Sequence, residues 1–356
     1  MKNTSNSNNE FSAAAYAYEL PPELIAQTPV VRREDSRLLI LNRRTGAPEH
    51  RFFRDIPKYL TDKDLLVFND TRVFPARLIG RKNTTGARCE VFLLKQLTAQ
   101  NWSALVKPGR RLPAGSVVSF AGDFSAEILE VLADGRCTVA LKYTGDLFTV
   151  LERYGQTPLP PYIKTDASSV RNIRERYQTV YARETGSSAA PTAGLHFSAE
   201  LLAEIKARGI PIAFVTLHIG LGTFQPLKTA DIREHQIHTE EYYVPAAAMQ
   251  AVRDCRARGG RVIAVGTTAA RVLETAADSV SAEPSAPLHG QTSIYIYPGY
   301  QFKAVDALIT NFHLPCSTLL LLVSALAGRE KILAAYQEAI KQKYRFFSFG
   351  DAMFII

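Results

Sequence analysis

Hydrophobic and polar positions change rhythm twice along the 356-residue chain. Up to residue 66 the pattern is mixed. A proline-started helical turn at 22–27 precedes apolar runs at 37–41 and 65–68, which predict strands. Between 72 and about 143, short β-like runs follow one another at 91–94, 103–106, 117–120, 128–131 and 137–141. Glycines punctuate them and no helix-length apolar period intervenes, which predicts a small all-β barrel or sandwich inserted in the chain. Beyond about 153, helices and strands alternate. Ser198 precedes a helix with Leu201, Leu202 and Ile205 on one face, and a strand is predicted at 212–217. The pattern continues with helices at 246–258 and 268–277, strands at 261–265, 293–297 and 307–310, and helices at 318–327 and 329–343. The first of these last two is apolar on every side and so buried. Alternation predicts an α/β main domain, a mixed sheet covered by helices. The resulting division is a disordered polar tail at 1–16, an α/β domain at 17–71 and 154–356, and an inserted β-barrel domain at 72–153. Residues 278–289, rich in Ser, Ala and Pro, predict a surface loop.

Composition narrows the class. Hydrophobic residues are 46% of the chain and charged residues 21%, enough for a core without disulfide or metal staples. Cys89, Cys137, Cys255 and Cys316 form no close pair, which excludes a zinc ribbon or thioredoxin-type site and fits reduced thiols in the cytoplasm. The first ten residues carry no apolar stretch, unlike a secretory signal. The most apolar run, 314–327, contains Pro315 and is shorter than the ~20 residues a membrane span needs. A soluble, cytoplasmic protein is expected. Net charge is +8, and the insert holds 12 Lys and Arg against 7 Asp and Glu, so +5 comes from under a quarter of the chain. That asymmetry points to a polyanion at Arg81, Lys82, Arg110 and Arg111; scattered surface cations are the competing reading.

Familiar signatures are missing. No GxxxxGK[ST] or GxGxxG follows an early strand, which excludes a Walker site and speaks against a Rossmann dinucleotide site or a glycine-loop methyltransferase. Glu234, His235, His238 and Glu240 fall within seven residues, but without a third or fourth ligand at matching spacing they read as acid/base or substrate-binding groups rather than a metal centre. Histidines pinning a turn are the alternative. Polar groups also sit where strands end: Asp70 with Arg72, Thr192, Gly194 and His196, His218 with Gly220 and Gly222, Thr267 with Thr268, and Asn311 with His313. Ligands of α/β sheets gather at such ends, so together these favour a composite site. Between 153 and 183 tyrosines interleave with cations, including Arg174, Arg176 and Tyr177. This suits single-stranded nucleic acid, where bases stack and cations hold phosphates; tyrosines packing into the core fit equally.

Successive segments resemble the S-adenosylmethionine:tRNA ribosyltransferase-isomerase family of queuosine biosynthesis. The residues that carry the resemblance include Asn69-Asp70-Thr71-Arg72, Pro158-Leu159-Pro160-Pro161-Tyr162, Pro191-Thr192-Ala193-Gly194-Leu195-His196-Phe197 and Gly220-Leu221-Gly222-Thr223-Phe224. Glu234-His235 with His238, Gly266-Thr267-Thr268, Thr310-Asn311-Phe312-His313-Leu314-Pro315 and Gly350-Asp351 continue it in family order. The resemblance implies an α/β domain interrupted by a β-barrel. It also implies transfer of the ribosyl part of S-adenosylmethionine to 7-aminomethyl-7-deazaguanine at the tRNA wobble position, with adenine and methionine released. S-adenosylmethionine is then a substrate, no cofactor or metal is expected, and the protein is expected as a monomer. Glu234, His235, His238, His196, His313 and Asp70 are the available catalytic groups. Arg72, Thr192, Gly194, Gly220, Gly222, Thr267, Thr268, Asn311 and Asp351 are expected to bind substrate. The chain departs from the family pattern at Ala269, Ser293 and Phe349. A non-enzymatic tRNA-binding protein and an RNA methyltransferase are the rival readings.

Overall fold

The computed structural model describes residues 10–160, 162–163, 170–220, 227, 229–281 and 286–356. Two compact units emerge: Met1–Thr71 with Pro161–Glu184 and Ala190–Ile356, and Arg72–Pro160 with Thr185–Ala189.

The larger unit is built on a nine-stranded sheet, its strands numbered here in chain order. They are β1 (Arg37–Leu41), β2 (Pro48–Phe52), β3 (Leu65–Asn69), β4 (Ile212–Leu217), β5 (Glu240–Val244), β6 (Val262–Val265), β7 (Leu288–Thr292), β8 (Ala307–Asn311) and β9 (Ala352–Ile355). The spatial order is β7-β5-β4-β3-β6-β8-β9-β1-β2. The central four, β4, β3, β6 and β8, are mutually parallel. β5 and β9 flank them antiparallel, and β1 runs alongside β9. Interior strands buried on both faces read as unbroken apolar runs, as in Leu65-Leu66-Val67-Phe68. Alternate residues then serve opposite faces. Leu39 and Leu41 join Val252, Leu273, Leu321 and Ile332 from helices Ala246–Ala257 (α1), Thr267–Thr275 (α2), Thr318–Ala327 (α3) and Arg329–Lys341 (α4). Leu38 and Ile40 point the other way, to Phe53, Ile56, Leu201 and Ile205. The sheet is therefore covered on both sides, as the alternation predicts.

Three expectations need correcting. The polar tail does not extend to residue 16: Ala13–Tyr16 forms a 3-10 turn and Tyr16 is fully buried, because its ring packs into the larger core. The strand expected at 293–297 is absent; its alternating apolar residues pack on the core without a ladder, and the edge strand is β7, recruited by the free edge of β5. The segment 278–289 is not all loop, since helix Ala277–Ser281 and β7 enter it from either end.

The second unit is a closed barrel of six antiparallel strands. Their order is Cys137–Lys142, Asn101–Lys107, Arg88–Gln96, Arg77–Lys82, Val117–Ala121 and Phe124–Val131, returning to the first. Alternation inside and outside is plain in Asn101–Lys107, where every second residue is buried. Gly80 permits closure: a Cβ there would sit 2.5 Å from the Ser119 carbonyl oxygen. Arg81, Arg110 and Arg111 are exposed, and the Lys82 ammonium donates to the Arg111 carbonyl at 2.8 Å, so this part of the barrel surface is basic.

Candidate active site

Strand direction gathers the site. β3, β4, β6 and β8 end on one edge of the sheet, delivering Asp70, His218, Gly266-Thr267-Thr268 and Asn311 with His313. The oppositely directed β1, β5 and β9 begin at that edge, delivering Ser36, Glu240 and Asp351. Residues distant in sequence thus share one rim, with free helix and strand ends pointing outward.

At the β8 end lies a small open pocket whose lining includes Tyr162, Thr192, Asn311, His313, Phe347 and Ser348. His196 sits behind it, stacked on Phe53 at 5.0 Å between ring centroids. Its Nδ1 lies 2.7 Å from Ser36 Oγ, and its Nε2 lies 3.2 Å from Asn311 Nδ2. Ser36 spends its single hydroxyl proton on the Arg33 carbonyl at 3.2 Å, so it accepts from Nδ1–H, and Nε2 accepts from Asn311. Burial, with the Arg33 and Arg345 guanidiniums, pushes His196 down to about 3. Burial pushes His313 down to about 3 as well, and its Nε2 lies 2.8 Å from Thr310 Oγ1. Both imidazoles are therefore neutral near pH 7.

Asp70 is also held. One carboxylate oxygen accepts from Arg183 at 2.5 Å and the other from Thr216 Oγ1 at 2.7 Å. Asp351, expected to bind substrate, accepts backbone N–H groups of Arg37 and Arg345, both at 2.8 Å, and so ties the start of β1 to the loop before β9. Gly194 is there for close approach, since a Cβ would fall 1.9 Å from the Tyr181 hydroxyl. Thr267 and Thr268 open α2 behind Gly266, whose φ of +94° favours glycine, and the buried Thr268 hydroxyl has no partner. Gly220 donates its N–H to Glu240 at 3.0 Å. Gly222 lies outside the described residues, and Arg72 is an exposed residue of the second unit.

Glu234 and His238 are exposed, whereas His235 is half-buried with its ring 5.6 Å from that of Tyr295. They occupy the connection from β4 to β5. At strand level, β5 and β8 stand four spacings apart, roughly 19 Å. The connection spans that gap: Leu227 donates to the Cys316 carbonyl at 3.0 Å, just past His313, and the chain then returns to Glu240. A ligand meeting both ends must extend along the rim.

Sequence reading missed the buried ion pair between Glu240 and Arg271. Its signal was an arginine set between Ala269-Ala270 and Val272-Leu273 in α2. For Tyr177, expected either to meet RNA or to pack into the core, the structure favours packing. Tyr177 is fully buried with its ring 5.7 Å from Phe349, which leaves no face for a base. Arg176 forks onto the Val30 and Val31 carbonyls at 2.7 and 2.8 Å, and Arg174 is half-buried. Among the described residues, no group of three or more His, Cys, Asp or Glu is arranged to hold a metal, and no helix is long and apolar enough to cross a membrane.

A helix-covered mixed sheet, a polar rim at the ends of its parallel strands and a basic barrel interrupting the chain together define an α/β enzyme with a β-barrel insertion. The family model for the queuosine biosynthesis protein matches residues 13–355, and the chain belongs to that family. Curated relatives named S-adenosylmethionine:tRNA ribosyltransferase-isomerase include those of Heliobacterium modesticaldum, 54% identical over 96% of this chain and 99% of the relative, and Acetivibrio thermocellus, 51% identical over 96% and 98%. A solved structure of the S-adenosylmethionine tRNA ribosyltransferase from Thermotoga maritima is 39% identical, covers 96% of this chain and 100% of that one, and superposes with a TM-score of 0.55. The family resemblance and the α/β-plus-barrel fold expected from sequence are both borne out.

Proposed function

We propose that this enzyme transfers and isomerises the ribosyl moiety of S-adenosylmethionine onto 7-aminomethyl-7-deazaguanine at the wobble position of tRNA, releasing adenine and methionine. The observation that carries this reading is the rim itself. It is long enough for an extended sulfonium nucleoside and a nucleotide base together, in a family whose members bear that activity in their names.

The chemistry divides among the residues by their state. The sulfonium acidifies the ribose carbon beside it, and a base must take that proton. The attacking amine must also lose a proton, and departing adenine must receive one or have its charge met by hydrogen bonds. His196, His313 and Asp70 are engaged or neutral and serve as fixed hydrogen-bonding groups. Proton transfer therefore falls to the accessible Glu234, His235 and His238, whose connection runs along the rim. The basic surface at Arg81, Lys82, Arg110 and Arg111 suits the tRNA backbone. The protein acts as a cytoplasmic monomer and without a metal.

Product analysis tests the reading. With S-adenosylmethionine and tRNA carrying the aminomethyl base, after exhaustive chelation, adenine and methionine should appear in equal amounts. S-adenosylhomocysteine would mean methyl transfer, and no product would mean mere binding. Activity lost on chelation and restored by a divalent ion would overturn the metal-free chemistry.

A further inference from the structure

Asn311 carries an acceptor that nothing in the structure uses. The residue ends β8, is 2% exposed and lines the pocket. Its Nδ2 is committed twice, to the Phe347 carbonyl at 3.0 Å and to His196 Nε2 at 3.2 Å. Its Oδ1 is buried without a partner. Leaving a buried acceptor unmet is costly, so it needs an explanation in ligand or function.

The amide cannot simply rotate to relieve it. Rotation would turn Oδ1 toward the Phe347 carbonyl, acceptor against acceptor, and abandon His196. Phe347 is itself held with φ at +72°, a left-handed conformation unfavourable for a bulky residue. Its N–H bonds the Phe312 carbonyl at 3.1 Å while its carbonyl receives Asn311. Strained backbone, a neutral histidine and a serine relay together fix which way one amide faces. The pocket wall beside it is largely apolar and aromatic, with Tyr162, Phe312, Leu314, Leu319 and Phe347.

The geometry points to Asn311 as the specificity-determining acceptor for the exocyclic amino group of a purine-type ring, with His196 as its positioning residue. This rests on the reaction proposed above, in which two such rings enter: the adenine of S-adenosylmethionine and the deazaguanine of the tRNA. Both offer an amino N–H to Oδ1. A ring bearing an oxo group instead would set a second acceptor against it and be rejected.

The test is a matched pair of binding measurements by calorimetry. One arm compares S-adenosylmethionine with its 6-oxo analogue. The other compares tRNA bearing 7-aminomethyl-7-deazaguanine with the same tRNA lacking the base's 2-amino group. Wild-type protein should prefer the amino form by about ten- to a hundredfold in one arm, which identifies the ring that occupies the pocket. In Asn311→Ala that preference should collapse to near unity, while the other arm stays unchanged. Replacing His196 by Ala should erode the same preference without altering the pH profile of turnover between pH 6 and 8, since a neutral positioning residue contributes no limb there. A wild-type protein indifferent to the amino group in both arms overturns the inference and needs no variant that might misfold. So does a preference that survives in a folded Asn311→Ala. Failure of the reaction itself would show differently, as wild-type protein that binds but releases no adenine.

Discussion

Acidification from pH 7.5 to 5.0 should destabilise the larger unit by an amount set by its buried histidines. His196 and His313 are 4% and 7% exposed and are pushed to about 3 in the fold, against 6.5 unfolded. Between those values the unfolded chain binds more protons than the native one, so stability falls as pH falls. At pH 5.0 the unfolded imidazole is almost fully protonated while the native one is not. The loss is then about 2 kcal/mol per histidine, or about 4 kcal/mol for the two. His218, also lowered by burial, adds in the same direction. Urea unfolding followed by far-ultraviolet circular dichroism reads the larger unit, where most helices lie. Fluorescence of Trp102 reads the barrel unit, which contains no histidine and should shift less. In His196→Asn the pH-dependent loss should shrink by about 2 kcal/mol, the share of one imidazole. Wild-type stability flat over this range, or an undiminished loss in the variant, would refute the assignment of these imidazoles as buried and neutral.

His238→Ala should lower turnover by about 10² to 10⁴ with little change in melting temperature, because the residue is exposed and, in the reaction proposed above, is assigned proton transfer rather than packing; an unstable but fully active variant would remove it from the mechanism. Neutralising Arg81, Lys82, Arg110 and Arg111 together should weaken tRNA binding and flatten its salt dependence while leaving S-adenosylmethionine affinity alone, and an unchanged slope would place the RNA elsewhere. Glu240→Ala strands the buried Arg271 guanidinium and should cost about 3–5 kcal/mol in denaturant unfolding, part of which Arg271→Leu in the same chain should restore.

Local signals carried much of the fold. β1, β4 and α3 lie within the bounds that apolar runs predict, and Ser198 caps its helix through a side-chain bond to the Leu201 N–H at 3.1 Å. What escaped were elements that pairing alone creates. β2 reads Pro-Glu-His-Arg-Phe and β7 reads Leu-His-Gly-Gln-Thr; neither has a strand's composition, and both are edge strands held by one neighbour. β5 opens on two glutamates and was likewise invisible. The site was legible as a set of residue types at strand ends, but their division of labour was not. Nothing local to His196 marks it as neutral, because Ser36 and Asn311 reach it only through the tertiary fold; His313 bonds the nearby Thr310, but the burial that lowers it is likewise a product of the fold.

The placement of β9 bears on how the chain is made. Residues 352–355 lie in mid-sheet, bonded on one side to β8 and on the other to β1, more than three hundred residues earlier. During synthesis, the β1–β2 hairpin emerges first and must wait for this four-residue piece before it can join the sheet. Until then, the apolar faces of β1 and the near edge of β8 have no neighbour, and the newborn chain offers two unpaired edges to other chains. Contacts of such sequence separation close slowly. Asp351 and the Phe347 turn that aims Asn311 belong to the same late segment, so the β8 end of the rim is assembled only once that segment has been made, and a chain cut short before it would lack it.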